Sequence, residues 1–267
     1  MVPRMRTAVV TGGSSGIGLE VARQLARRGG WRLVLAARGE DRLGPVVAEL
    51  GARGVRCDVT SAADVEALAA AAAEEGGCDL LVNCAGRPGR VGVLDGTPDD
   101  YRAVMETNLI GMVRVTQALF PQLEERRGRV VNVVSVAGTV ALARSGPYCA
   151  SKHAALAFSR GLSGAARLRG VTVTTVNPGP VHTPGFSQET LLQGRMSRLA
   201  VIDVERCAAR LLDAADRGRA EVFAPRLYKV AAVAQTVAPG VVTRISTAFW
   251  NRRRPSTRDA GEPATTP

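Results

Sequence analysis

Tyr148 and Lys152 lie four residues apart in a stretch whose apolar residues recur at helical spacing, so both side chains share one helix face. A free phenol ionises at about pH 10 and is a poor base near neutrality, but a neighbouring ammonium favours phenolate and lowers that value. Tyr148 can then give a proton to a carbonyl oxygen or take one from an alcohol. Ser135 closes the apolar run 130–135. A hydroxyl at the end of such a strand can hydrogen-bond a substrate oxygen and steady the charge that develops on it.

A second constellation binds rather than reacts. Thr11-Gly12-Gly13-Ser14-Ser15-Gly16-Ile17-Gly18 follows an apolar run and leads into a helical pattern. Its glycines permit a tight turn and close backbone approach to a pyrophosphate, and the helix N-terminus attracts the anion. The spacing is GxxxGxG rather than GxGxxG, and the strand before and helix after supply the context that the motif requires. About twenty residues on, where an acidic side chain would hold a ribose 2′-hydroxyl, stands Arg38. A guanidinium there pairs with a 2′-phosphate, which favours NADP(H) over NAD(H).

These groups need elements to hold them. Runs at 7–11, 33–36, 55–58, 80–83, 130–135 and 171–176 read as strands, each too continuously apolar for a sheet with one wet face. Helical patterns at 16–28, 61–75, 98–126 and 147–169 alternate with them. Thr97-Pro98-Asp99-Asp100 marks one start clearly, with a capping hydroxyl, Pro at the first helical position and two carboxylates at the positive end. The alternation implies an α/β, doubly wound, mostly parallel Rossmann-like sheet with helices on both faces.

The motifs TGGSSGIG at 11–18, Asp58-Val59, Asn83-Cys84-Ala85-Gly86, Asn108, Ser135, Tyr148-Cys149-Ala150-Ser151-Lys152 and Pro178-Gly179-Pro180-Val181-His182-Thr183 occur in that order. In this the chain resembles the short-chain dehydrogenase/reductase family over residues 5–224. The resemblance implies an NADP(H)-dependent oxidoreductase that interconverts a carbonyl and an alcohol, and a homodimer or homotetramer. Carried over residue by residue, Asn108, Ser135, Tyr148 and Lys152 form the catalytic group. Lys152 also holds the nicotinamide ribose, and Asn108 positions a water in a proton relay behind it. Gly12, Ser14, Ser15, Gly16, Ile17 and Gly18 cradle the cofactor, Asp58 with Val59 meets its adenine, and Asn83, Ala85 and Gly86 line it. Pro178, Gly179, Val181 and Thr183 flank the nicotinamide. Cys84 stands where the family usually has Asn, a change that backbone contact tolerates. The chain also lacks the Gly- and Asp-rich close of the 3-oxoacyl-carrier-protein reductases.

The bulk numbers set bounds on this reading. Lys and Arg number 35 against 24 Asp and Glu, a net charge of +11. The basic residues are scattered and not interleaved with aromatics, which argues against nucleic acid. Five cysteines show no CxxC pair or metal-ligand spacing, so no metal is expected and free thiols point to the cytoplasm. A strand at 7–11 leaves no room for a leader peptide. Cys149 reads as a packing residue, and His153 and His182 are too few for a histidine site.

One unit is expected over 1–225, a helical extension over 226–250 and an unfolded polar tail over 251–267. In the extension Leu227, Val230, Ala234, Val237, Val241, Ile245 and Phe249 form an apolar stripe broken at Pro239-Gly240, followed by Trp250 and three arginines. This segment can cover an apolar substrate cleft, meet another subunit, rest on a membrane surface, or pack on its own domain. Two other classes of function compete with the reductase: a nucleotide-binding regulator without turnover, and a docking protein built on 226–254. The loops 87–97, 138–147 and 183–200, from which a substrate would be read, carry no interpretable pattern.

Overall fold

The computed structural model describes residues 4–89, 91–182 and 201–251. Thr183, the loop 183–200 and all but the first residue of the expected tail lie outside the described residues. Seven strands form one sheet: β1 (Arg6–Thr11), β2 (Trp31–Ala37), β3 (Arg53–Arg56), β4 (Leu80–Asn83), β5 (Arg129–Val133), β6 (Thr172–Pro178) and β9 (Glu221–Ala224). Their order is β3-β2-β1-β4-β5-β6-β9, every pairing parallel. A short parallel pair, β7 (Val181–His182) with β8 (Ile202–Asp203), stands apart.

Alternation along the strands divides the core into two layers. Ala8, Val10, Leu33, Leu35, Val82 and Val131 face helices α1 (Gly16–Arg28), α2 (Glu40–Leu50) and α7 (Val204–Asp216). Val9, Val34, Leu81, Val130 and Val173 face α3 (Ala62–Glu74), α5 (Gly111–Glu125) and α6 (Gly146–Arg167). Strand order reverses between β1 and β4, and the crevice outside their carboxyl ends is where such sheets bind ligands.

The expected helix over 98–126 is three pieces: α4 (Pro98–Met105), a π turn (Glu106–Ile110) and α5. Its start follows the sequence reading, with Thr97 and Asp100 bonded as a reciprocal capping box. The end of β5 differs from expectation, because Ser135 lies two residues beyond it and caps a 3₁₀ turn (Val136–Gly138). Strand β3 lies two residues earlier than expected, and Asp58 follows it in a turn. Helix α2 was not anticipated because Gly44 and Pro45 interrupt its pattern, nor was α7. β9 is a four-residue edge strand that only pairing with β6 identifies.

One row of polar side chains crosses this apolar sheet. Thr11, Asn83, Asn132 and Thr175 are neighbours in register on β1, β4, β5 and β6, and all are buried. The Asn83 amide donates to Asn132 Oδ1 and to Thr116 Oγ1 of α5, both at 2.9 Å. Asn132 donates to Ser159 Oγ of α6 at 2.9 Å, and Ser159 shares a 2.7 Å bond with Thr175. Thr11 Oγ1 accepts from the backbone N–H groups of Cys84 and Ala85, each at 3.1 Å. The row ties the strand ends to both helices. Truncating Asn132 to Ala removes one bond each from the Asn83 amide and the Ser159 hydroxyl, which keep Thr116 and Thr175, and leaves a cavity between β4, β5 and α6, so unfolding free energy in urea should fall by about 1–3 kcal/mol with an unchanged denaturant slope. A loss below about 0.5 kcal/mol would show that the row adds no net stability.

Candidate active site

The phosphate end is built by close backbone approach. Gly12 and Gly16 have φ of +70° and +55°, a region that glycine enters without strain. A Cβ on Gly18 would stand 2.4 Å from the Gly12 carbonyl oxygen, and one on Gly12 would stand 3.1 Å from the backbone of Cys84 and Ala85. The loop therefore lies against the segment that leaves β4. Ser15 caps α1 without a side-chain bond, and the first turn holds no acid, so no side-chain cap or carboxylate competes with an anion at this helix N-terminus. This cradle fits a dinucleotide pyrophosphate. Gly18 serves the close packing of the loop, and neither it nor Ser14 lines the adjoining cavity.

Arg38 follows β2 and is exposed, with its charge acting on Asp58 at the end of the next strand. Burial raises the Asp58 carboxyl, but Thr60 outweighs it through its N–H at 2.9 Å and its hydroxyl at 2.8 Å, helped by Arg38, so the group is held below its usual value. Val59 is buried against Gly111, where a Cβ would come within 2.5 Å of it.

From the glycine loop a cavity of about 540 Å³ runs to the reactive group, lined by Gly12, Ser15, Gly16 and Ile17 at one end. Ala85, Gly86, Ser135, Tyr148, Lys152, Pro178, Gly179 and Val181 complete the predicted set on its walls. Ser135 Oγ accepts the Ala137 N–H at 3.1 Å, and its hydroxyl is near enough to Tyr148 to act on the phenol. Lys152 Nζ donates to the Val133 carbonyl at 3.1 Å and lies 5.7 Å from the centre of the Tyr148 ring. Gly138 lets the 3₁₀ turn that follows Ser135 lie against the backbone of α6, since a Cβ there would stand 2.6 Å from the Lys152 carbonyl oxygen. It was not anticipated, because only the crossing of the 3₁₀ turn over α6 reveals its role.

Four predicted residues, Asn108, Asn83, Arg38 and Asp58, do not line the cavity. Asn108 is fully buried in the π turn; its amide donates to the Arg87 carbonyl at 3.1 Å and Ser151 Oγ at 3.0 Å, and its oxygen accepts the Arg87 N–H at 2.8 Å. It thereby clamps the segment after β4 to α6. The Asn83 side chain points into the polar row and not into the cavity. Arg38 and Asp58 flank the strand ends outside the cavity. Cys149 is buried with its thiol 3.9 Å from the Leu142 carbonyl, and His153 bonds the Cys149 carbonyl at 2.8 Å. Tyr228, missed in the sequence, presses its ring on Gly179 at the cavity rim.

Burial raises the Tyr148 phenol, and the Ser135 hydroxyl works against that. Burial also pushes the Lys152 ammonium down to about 8, with the Cys84 thiol opposing. Cys84 is itself raised to about 11 by burial, with Lys152 opposing. Desolvation disfavours the charged form of each. A sequence signal for the lysine existed: of 35 basic residues only Lys152 and Lys229 are lysines, and only lysine can lose its proton in a protein.

With two lysines, the shift is measurable directly. In protein carrying ¹³C-labelled lysine, assigned with the help of Lys229→Arg, the Lys152 side chain should titrate near 8. Its charge is therefore present below that pH and lost above it. A midpoint at the ordinary value of about 10.4 would show that the ammonium is solvated.

The short chain dehydrogenase family matches residues 6–191. A putative ketoacyl reductase of Streptomyces coelicolor is 42% identical over 66% of this chain and 71% of its own. The dehydrogenase/reductase SDR family member 7B of Bos taurus is 34% identical over 95% of this chain and 84% of its own. Among solved structures, a variant of actinorhodin polyketide ketoreductase with NADPH superposes with a TM-score of 0.73 at 33% identity, covering 82% of this chain and 94% of that one. A parallel sheet in this order, a glycine cradle at its first helix and Ser135, Tyr148 and Lys152 on one cavity agree with that family match: the chain belongs to the short-chain dehydrogenases.

Proposed function

We propose that the protein is an NADP(H)-dependent oxidoreductase that interconverts a carbonyl and an alcohol on an apolar substrate, with Tyr148 as its acid/base. The observation that carries the reading is the convergence of Ser135, Tyr148 and Lys152 on one cavity with the glycine cradle of α1. Ile17, Val134, Val136, Leu142 and Val181 on its walls support an apolar substrate. The relatives named as ketoacyl reductases and the NADPH bound to the actinorhodin enzyme support the reaction class and the cofactor.

The cofactor, when bound, supplies or accepts hydride. In the direction of reduction, Ser135 donates a hydrogen bond to the carbonyl oxygen, and Tyr148 transfers its phenolic proton to the same oxygen. Its raised value keeps that proton in place through neutral pH. Lys152 keeps positive charge beside the phenol below about pH 8 and holds the ribose. Asn108 keeps the segment of Gly86 and Arg87 against α6; the water relay expected of it requires it to share one of these bonds. Arg38 pairs with the 2′-phosphate, and Asp58 faces the adenine. The homo-oligomer belongs to the same reading. An open apolar groove of about 320 Å³ between α5 and α6, lined by Phe120, Phe158 and Leu162, supports it, and the particle mass in solution decides it.

Tyr148→Phe removes only the hydroxyl, so NADPH binding followed by fluorescence should survive while turnover falls by about 10²–10⁴ or more. Turnover within a few-fold of the parent on a ketone found by screening would remove Tyr148 from its role. In the parent, NADPH should bind more tightly than NADH. Arg38→Asp should narrow or reverse that preference by roughly ten- to a thousandfold, the worth of one charged phosphate contact. Equal affinity of the parent for both cofactors would contradict the assignment of Arg38.

A further inference from the structure

The C-terminal helices α8 (Tyr228–Val237) and α9 (Pro239–Asn251) carry their apolar stripe outward. On α8, Tyr228, Ala231, Ala232 and Gln235 form the half-buried side, and Tyr228 packs on Gly179. On the opposite side Val230, Val233 and Val237 are 73%, 55% and 79% exposed. Val241 and Ile245 continue the stripe on α9, also exposed. A helix in water normally shows the reverse, with valine inward and glutamine outward.

The charge pattern indicates what covers this face. Residues 222–258 contain Arg226, Lys229 and Arg244 in the described part and Arg252, Arg253, Arg254 and Arg258 after it, with no Asp or Glu. Lys229 and Arg244 border the stripe, four residues before Val233 and three after Val241. We propose that α8 and α9 dock the protein on an anionic lipid surface. The valines and Ile245 enter the boundary between headgroups and acyl chains, and the basic side chains meet lipid phosphates. A second copy of the chain is a poor occupant, because a twofold contact through this face brings together two copies of the same basic segment, with no acid in it to pair with Arg226, Lys229 and Arg244. No helix among the described residues is long and apolar enough to cross a membrane; the pair lies along the surface.

The test uses the full chain floated with vesicles of phosphatidylcholine alone or mixed with phosphatidylglycerol. Binding should require phosphatidylglycerol and weaken with added salt. Val233→Ser with Val237→Ser should weaken it about tenfold or more through lost apolar burial, and Lys229→Glu with Arg244→Glu by a similar factor or more. These positions are exposed and outside the cavity. Thermal melts should match the parent, and if the valine pair melts early, the charge pair decides. Failure to bind phosphatidylglycerol vesicles, or binding that the charge pair leaves unchanged, overturns the proposal. So does light scattering that shows the parent indifferent to vesicles and the valine variant in a smaller assembly, which would assign the face to a second copy.

Discussion

The carboxyl ends of β1, β4, β5 and β6 are locked in register by the polar row of Thr11, Asn83, Asn132 and Thr175, with Thr116 and Ser159 reaching in from α5 and α6. Hydrophobic burial is not directional, and it is the backbone ladder and side chains of fixed geometry that hold the register of a sheet of Val, Leu and Ala. Buried amides and hydroxyls add to that hold, since each lost partner leaves an unsatisfied polar group. Everything in the cavity hangs from this row. Thr11 holds the segment after β4 against the glycine loop, and Ser159 ties α6, which carries Tyr148 and Lys152, to β5 and β6.

Glycine then sets how closely these fixed parts meet. Gly18 against Gly12, Gly12 against Cys84 and Gly138 against Lys152 are contacts of backbone on backbone, with no room for a side chain. They bring the helix N-terminus, the segment after β4 and the hydroxyl of Ser135 into one cavity. Asn108 adds a clamp from a π turn, a local widening of the helix that often accompanies functional sites. The same compactness desolvates the reactive group: one burial raises the phenol and lowers the ammonium.

The C-terminal pair follows different physics. Its inner side is anchored by Tyr228 on Gly179 at the cavity rim, while its outer side leaves valines in water. An exposed apolar face of this kind marks an interaction site, and in the proposed docking the run of basic residues without an acid sets the sign of the surface it meets. The cavity rim and the outward face thus belong to one short helix.

The shared helix face of Tyr148 and Lys152, the glycine loop between β1 and α1 and the doubly wound architecture were legible in the linear chain because each depends on local spacing. Residues four apart share a helix face, glycines between a strand and a helix make a turn, and apolar runs of strand length bounded by helices make a covered parallel sheet. Helix α2 and strand β9 were not legible, since Gly44 and Pro45 break one pattern and the other exists through its partner β6. The inward turn of Asn83, the clamp by Asn108, the role of Gly138 and the shift of Lys152 toward neutrality were decided only by tertiary structure. Each depends on distance and dielectric between segments far apart in the chain, and a sequence records what a residue is and not how much water is left around it.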